Sequence, residues 1–137
     1  MKIFNHYITN EDFLWFVGYF EGEGCVNFNK QNNGNYCIRL TISSTDFDIL
    51  KRVKKIIKRG HLKPRNYIHK PIWTWYITKQ TETLPLMKMM YKFMGIRRKK
   101  RMKEAIEYMQ SKPYLGLMDR MKNYNPNQYL KKNRRVL

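Results

Sequence analysis

Residues Phe13 to Val26 read Phe-Leu-Trp-Phe-Val-Gly-Tyr-Phe-Glu-Gly-Glu-Gly-Cys-Val. An apolar run, interrupted at Gly18, closes on Glu21-Gly22-Glu23-Gly24 before a strand-like segment begins. Thr9 can cap a helix here, Asp12 stands three residues on, and Ile8 and Phe13 sit where a hydrophobic staple packs. Gly22 and Gly24 supply the expected stop. Two features of this helix are costly. Gly18 lies mid-helix, where glycine costs roughly 1 kcal/mol relative to alanine. Glu21 and Glu23 lie at the C-terminal end, where the macrodipole disfavours negative charge. A stretch that breaks two local rules points to a functional site. Gly18 and Gly22, four apart, make a flat strip on one face, open to close approach by a second backbone. Carboxylates at the end of that strip suit a hard divalent cation, whose charge offsets the dipole penalty.

The rest of the composition narrows the partner. The chain has 137 residues, one domain's worth, with 28 Lys+Arg against 10 Asp+Glu and a formal net charge of +18. Such an excess implies a polyanionic partner, nucleic acid or an anionic membrane surface. The membrane reading is the weaker, because no apolar run reaches the roughly 18 residues of a spanning helix. Aromatic residues at 15%, three of them Trp, argue for a folded chain rather than a basic tail. Cys25 and Cys37 lack the paired spacing of a zinc site, and His6, His61 and His69 lack ligand spacing. No secretory or transit segment is visible, so both thiols are expected to be free, in a reducing compartment where the protein is made.

Outward from the opening helix, the hydrophobic period alternates between two and 3.6. Cys25 to Lys30 and Tyr36 to Ser43 alternate around the turn signal Asn33-Gly34. Thr45-Asp46-Phe47-Asp48 opens a helix with Ile49, Leu50, Val53, Ile56 and Ile57 as its stripe and Gly60 as its end. His61 to Arg65 and Ile72 to Thr78 make a second hairpin, with Trp73, Trp75 and Ile77 on one face. Thr81 to Met94 is a helix with Leu84, Met87, Met90, Tyr91 and Met94 at core spacing, broken by Gly95. The run Arg97-Arg98-Lys99-Lys100-Arg101 precedes a last helix that turns Met102, Ala105, Ile106 and Met109 inward until Pro113. The order α-β-β-α-β-β-α-α predicts one α+β domain over residues 1–113, its sheet covered on one face and open on the other. Residues 114–137 are a basic C-terminal extension of it.

The nonapeptide Phe16-Val17-Gly18-Tyr19-Phe20-Glu21-Gly22-Glu23-Gly24, with this succession of elements behind it, resembles the LAGLIDADG homing endonucleases. Glu21 and Glu23 stand at the two acidic positions, both Glu where Asp is commoner, and Gly18 and Gly24 at the outer glycines. One copy of the motif is present, and the resemblance covers about residues 9–111. It implies the αββαββα half-domain, in which a four-stranded antiparallel sheet saddles double-stranded DNA. It also implies Mg²⁺ coordinated by Glu23 and the carbonyl of Gly22, with Glu21 near the same junction in a less defined role. Ser44 falls near a polar position that organises active-site water, or is a helix-capping neighbour. Arg97, with Lys99 behind it, falls near a basic residue that steadies the reacting phosphate, or simply holds DNA phosphates.

The open sheet face supplies the base-reading candidates Asn27, Asn29, Gln31, Asn33, Arg39, Thr41, His61, Lys63, Arg65, Thr74 and Tyr76. Amides and guanidinium groups match adenine and guanine edges in the major groove, and the face is nearly free of acids. One motif per chain implies a homodimer joined through Gly18 and Gly22, acting on a long near-palindromic site. The resemblance further implies double-strand cleavage leaving 3′ overhangs and a gene carried in a mobile intron or intein. The expected location is intracellular: a mitochondrion or chloroplast for an organelle-encoded protein, otherwise phage-infected or prokaryotic cytoplasm. The alternative is a catalytically silent nucleic-acid binder, such as an intron-splicing maturase.

Overall fold

The computed structural model describes residues 1–65 and 70–112. Residues 66–69 of the expected turn Asn66 to Pro71, residue 113 and the whole expected extension 114–137, which includes the basic residues Lys131, Lys132, Arg134 and Arg135, lie outside the described residues.

A short ribbon, β1 (Lys2–Ile3) with β2 (His6–Tyr7), leads into helix α1 (Asn10–Glu23). Thr9 caps α1: its hydroxyl accepts from the Asp12 amide at 3.0 Å, while Ile8 and Phe13 are both buried beside it. Strands β3 (Gly24–Lys30) and β4 (Tyr36–Ser44) form the first hairpin, with Gly34 at φ +82° in its turn. Helix α2 (Phe47–Ile57) follows, capped by the Asp46 carboxylate, which accepts from the amides of Asp48 and Ile49. Strands β5 (His61–Arg65) and β6 (Ile72–Ile77) make the second hairpin, before α3 (Gln80–Met90), a 3₁₀ turn (Tyr91–Phe93) and α4 (Ile96–Ser111). Strand order is β3-β4-β6-β5, antiparallel throughout, so the two hairpins join through the central pair β4 and β6.

Parity explains why the sheet has one dry face. Val26, Ile38, Leu40, Ile42, Trp75 and Ile77 share it and are all buried. Against them α1 sets Phe16 and Phe20, α2 sets Leu50, Val53 and Ile57, and α3 sets Leu86, Met87 and Met90. Each such side chain, fully buried, contributes about 1.5–3 kcal/mol. Trp75 is the pillar: fully buried, edge-on to Phe16 at 5.8 Å, with its indole N–H donating to the Arg59 carbonyl at 3.0 Å. Between α3 and α4 the packing is rich in methionine, and the buried Thr83 hydroxyl meets Met109 Sδ at 3.6 Å.

Several expectations need correction. α1 continues through Gly22, and Gly24 at its end is extended (φ −83°, ψ 167°); a Cβ there would drive into the Phe20 ring. Gly24 is thus required by packing, not by a left-handed turn. Lys58, not Gly60, takes the left-handed cap of α2 at φ 57°. Gly60 has φ +92°, and a Cβ on it would lie 2.6 Å from the Trp75 indole nitrogen. The buried stripe of α3 is Thr83, Leu86, Met87 and Met90, continued by Met94, with Leu84 and Tyr91 only partly buried. The basic run lies inside the first turns of α4 rather than before it.

Candidate DNA interface and cleavage centre

The two motif carboxylates, two residues apart, are treated differently by the fold. Glu21 is half-buried and fastened to α4. Its Oε1 accepts from the Gly95 backbone N–H at 3.2 Å, and its Oε2 lies 3.5 Å from Arg98 Nε. The Arg98 guanidinium also donates to the Glu21 carbonyl at 3.1 Å and lies over the Phe20 ring at 5.2 Å. A Cβ on Gly95 would come within 2.7 Å of Glu21 Oε1, so that glycine makes room for the carboxylate. The N-terminus of α4, loaded with five cations, gains one anion on its free amides.

Glu23 ends α1, exposed, and its carboxylate makes no hydrogen bond or ion pair among the described residues. One residue further, the chain enters β3, whose first open-face side chain is Cys25. Glu23 therefore stands where the outer strip of α1 meets the open face of the sheet. That strip is bare: Gly18 and Gly22 are exposed with nothing near a would-be Cβ, and Leu14 is 50% exposed. Phe93 and Ile96, at 44% and 92% exposure, add apolar surface at the α4 end.

The open face of the sheet carries no acid in any of its four strands. Asn27 faces Arg39, Cys25 faces Thr41 and Asn29 faces Cys37 across β3 and β4; His61 faces Tyr76 and Lys63 faces Thr74 across β5 and β6. Tyr76 is the hub. Arg39 Cζ lies 3.9 Å over its ring, Lys63 Nζ 5.4 Å from it, and the His61 ring 5.2 Å away. Arg39 Nε is buried with no hydrogen-bond partner. Asn27 donates to the Thr41 hydroxyl at 3.2 Å, which orients the amide. Burial pushes the Cys37 thiol above its ordinary pKa, against the opposing pull of the Arg39 charge.

Asn29, Arg65 and the loop residues Gln31 and Asn33 are exposed at the ends of this face, and the Asn33 carboxamide accepts from the Asn35 amide at 2.9 Å. Thr74 differs from expectation. It is 8% exposed and hydrogen-bonded to Ser43 at 2.8 Å, so it joins strands instead of offering its hydroxyl outward. Ser44 accepts from the Asp46 amide at 3.0 Å, on the parity of the dry face. Arg97 is exposed, and Lys99 is half-buried with its Nζ 5.7 Å from the Tyr91 ring. The basic side chain that meets a motif carboxylate is Arg98. It belongs to the inward stripe Arg98, Met102, Ala105, Met109, a helical spacing visible in the sequence. Arg101, three residues on, donates to the Val26 carbonyl at 3.3 Å and covers Phe28 at 4.1 Å.

Among the described residues no group of three or more His, Cys, Asp or Glu gathers as a metal site, and no helix is long and apolar enough to cross a membrane.

A four-stranded antiparallel sheet, covered by helices on one face and cationic on the other, defines a class of α+β half-domains. By sequence the chain matches no family model and no curated protein. Its fold is that of the LAGLIDADG homing endonucleases. The structure is similar to the homing endonuclease I-TnaI, with TM-score 0.60 and 16% identity over 92% of this chain and 96% of that one. I-CvuI, solved in complex with its target in the presence of Ca, superposes with TM-score 0.63 at 16% identity over 77% of this chain and 72% of that one. The LAGLIDADG meganuclease I-AabMI bound to uncleaved DNA gives 0.58 at 18% identity, over 79% of this chain but 39% of its own.

Proposed function

We propose that this chain is a site-specific DNA endonuclease that acts as a homodimer and hydrolyses one phosphodiester in each strand of a long, near-palindromic duplex site, leaving 3′ overhangs. The observation that carries the reading is the free Glu23 carboxylate at the junction of a bare helix strip with an acid-free, cationic sheet face. A carboxylate in that position opposes phosphate binding, and so has a use only with a cation between the two.

The residues fit a Mg²⁺ ion of the kind held by one or two carboxylates plus substrate phosphates and water. Glu23 and the Gly22 carbonyl would hold it, in an open site completed by DNA and a second subunit. When bound, the ion polarises the phosphate and lowers the pKa of its water. The protein's own groups do the rest. Arg98 and Gly95 hold Glu21, and through it they fix the end of α1 relative to α4. Arg97 and Lys99, in the first turns of α4, supply positive charge for the reacting phosphate. Arg39, stacked on Tyr76, and the amides of Asn27 and Asn29 present groups to base edges, while Lys63, Arg65 and His61 meet the backbone. Bound DNA offers acceptors to the unpartnered Arg39 Nε.

A randomised duplex library incubated with the protein and Mg²⁺ tests this. One family of near-palindromic cleaved sequences is the expected yield; a library that stays intact in Mg²⁺ removes the nuclease reading.

A further inference from the structure

The tip of the β3–β4 hairpin is the part of the sheet with least support from its neighbours. β6 pairs with β4 only from Leu40 to Ser44, so the pairs Phe28 with Ile38, Asn29 with Cys37 and Lys30 with Tyr36 form a two-stranded ribbon. A ribbon of two strands is marginal by itself. The last turns of α4 come to it from more than seventy residues away. Tyr108 Oη accepts from the Tyr36 backbone N–H at 2.8 Å, and Lys112 Nζ donates to the Asn35 carboxamide oxygen at 3.1 Å. The rings of Phe28, Tyr36 and Tyr108 meet edge to face, with centroids 5.7 to 6.4 Å apart. Asn35 in turn donates its backbone N–H to Asn33 Oδ1, so the tie from α4 runs directly into the turn.

We infer that Tyr108 and Lys112 are positioning residues, which hold this tip so that Gln31 and Asn33 meet the outer base pairs of each half-site. β3 runs seven residues, from Gly24 beside Glu23 to Lys30. At about 3.3 Å per residue the tip stands roughly 23 Å from Glu23, or about seven base pairs at 3.4 Å each. Asn33 has its oxygen engaged by Asn35, which leaves its amide hydrogens for acceptors on DNA. Hydrogen bonds weaken steeply with misalignment, so such an amide tells bases apart only when its backbone is held still. The inference rests on the reading of the open face as a duplex-recognition surface, and not on cleavage.

The test measures binding, without Mg²⁺, of the whole protein to the duplex it selects from a randomised library and to single-substitution variants of that duplex. Tyr108→Phe keeps the ring and removes only the hydroxyl. It is expected to lose about fivefold or more of the discrimination at the outer base pairs, while discrimination at the pair read by Arg39 changes by less than about twofold. Amide hydrogen exchange gives a readout that needs no DNA. Exchange at Tyr36, and at Gln31 and Gly34, whose bonds lie within the loop, is expected to quicken about threefold or more, with Leu40 in the central strand unchanged. Lys112→Met is expected to act in the same sense with an unchanged salt slope. Discrimination that survives at the outer pairs, or falls equally at every pair, overturns the inference. So does a salt slope lower by about one in Lys112→Met, the mark of a phosphate contact. A wild-type protein that selects no duplex is a different failure: it removes the duplex-recognition surface, and this inference with it.

Discussion

Arg98 grips Glu21 twice: its Nε lies 3.5 Å from the Glu21 carboxylate, and another guanidinium nitrogen donates to the Glu21 carbonyl at 3.1 Å. One side chain therefore ties the C-terminal turn of α1 to the N-terminal turn of α4, and the Gly95 amide adds a third bond. Glu23, two residues on, has no such ties among the described residues. Two acids that look equivalent in the motif are thus a strut and a free carboxylate.

The strut role has a stability signature. Glu21→Gln is expected to lower the unfolding free energy by about 1–3 kcal/mol, since it strips a charged acceptor from the Gly95 amide and leaves Arg98 half-buried without its anion. Glu23→Gln is expected to leave stability unchanged or to raise it by up to about 1 kcal/mol, because it removes a negative charge from a helix C-terminus. Urea denaturation of both variants checks this pair; equal losses would contradict the division of roles.

Gly18 has open space around it within the subunit. Gly18→Leu is therefore expected to fold and to gain about 1 kcal/mol of helix propensity. The same side chain would project from the bare strip and keep a second α1 from close approach. Sedimentation velocity is expected to show a dimer for the wild-type chain and a monomer for the variant. A wild-type monomer with and without DNA would remove the homodimer.

Arg39, held over Tyr76, is expected to read a guanine edge. Arg39→Ala should relax discrimination at one base pair per half-site by about 1–3 kcal/mol, measured on a panel of single-substitution targets. An equal loss on every target would show that Arg39 holds phosphate alone.

Gly60 tests the core's central contact. Gly60→Ala is expected to cost more than about 1 kcal/mol, because alanine is strained at φ +92° and its Cβ meets the Trp75 indole. Trp fluorescence during denaturation reads the change.

What the sequence made plain was whatever repeats with a short period. Strand parity placed Arg39, Thr41, Tyr76 and Lys63 together on the open face, since alternation is set by the pleat alone. The cap at Thr9 was legible because its partner lies three residues on, and the pattern Thr45 to Asp48 marked the start of α2, where Asp46 supplies the cap. Contacts between distant residues were not. Nothing near Gly60 announces that a tryptophan fifteen positions later forbids a side chain there, so its role resembled a helix stop. Glu21 meets groups more than seventy residues away, and no local pattern separates it from Glu23. The phase of α4 did carry a signal for Arg98, at four, seven and eleven residues before its buried Met102, Ala105 and Met109. A positively charged residue on an inward stripe marks a buried partner.

The cleavage assay on Glu23→Gln tests the central claim most directly. With a selected target duplex and Mg²⁺, the variant is expected to bind DNA with wild-type affinity, or tighter through the loss of one opposing charge, and to leave both strands intact. Cutting at a rate near that of the wild type would contradict the account and place the chemistry elsewhere.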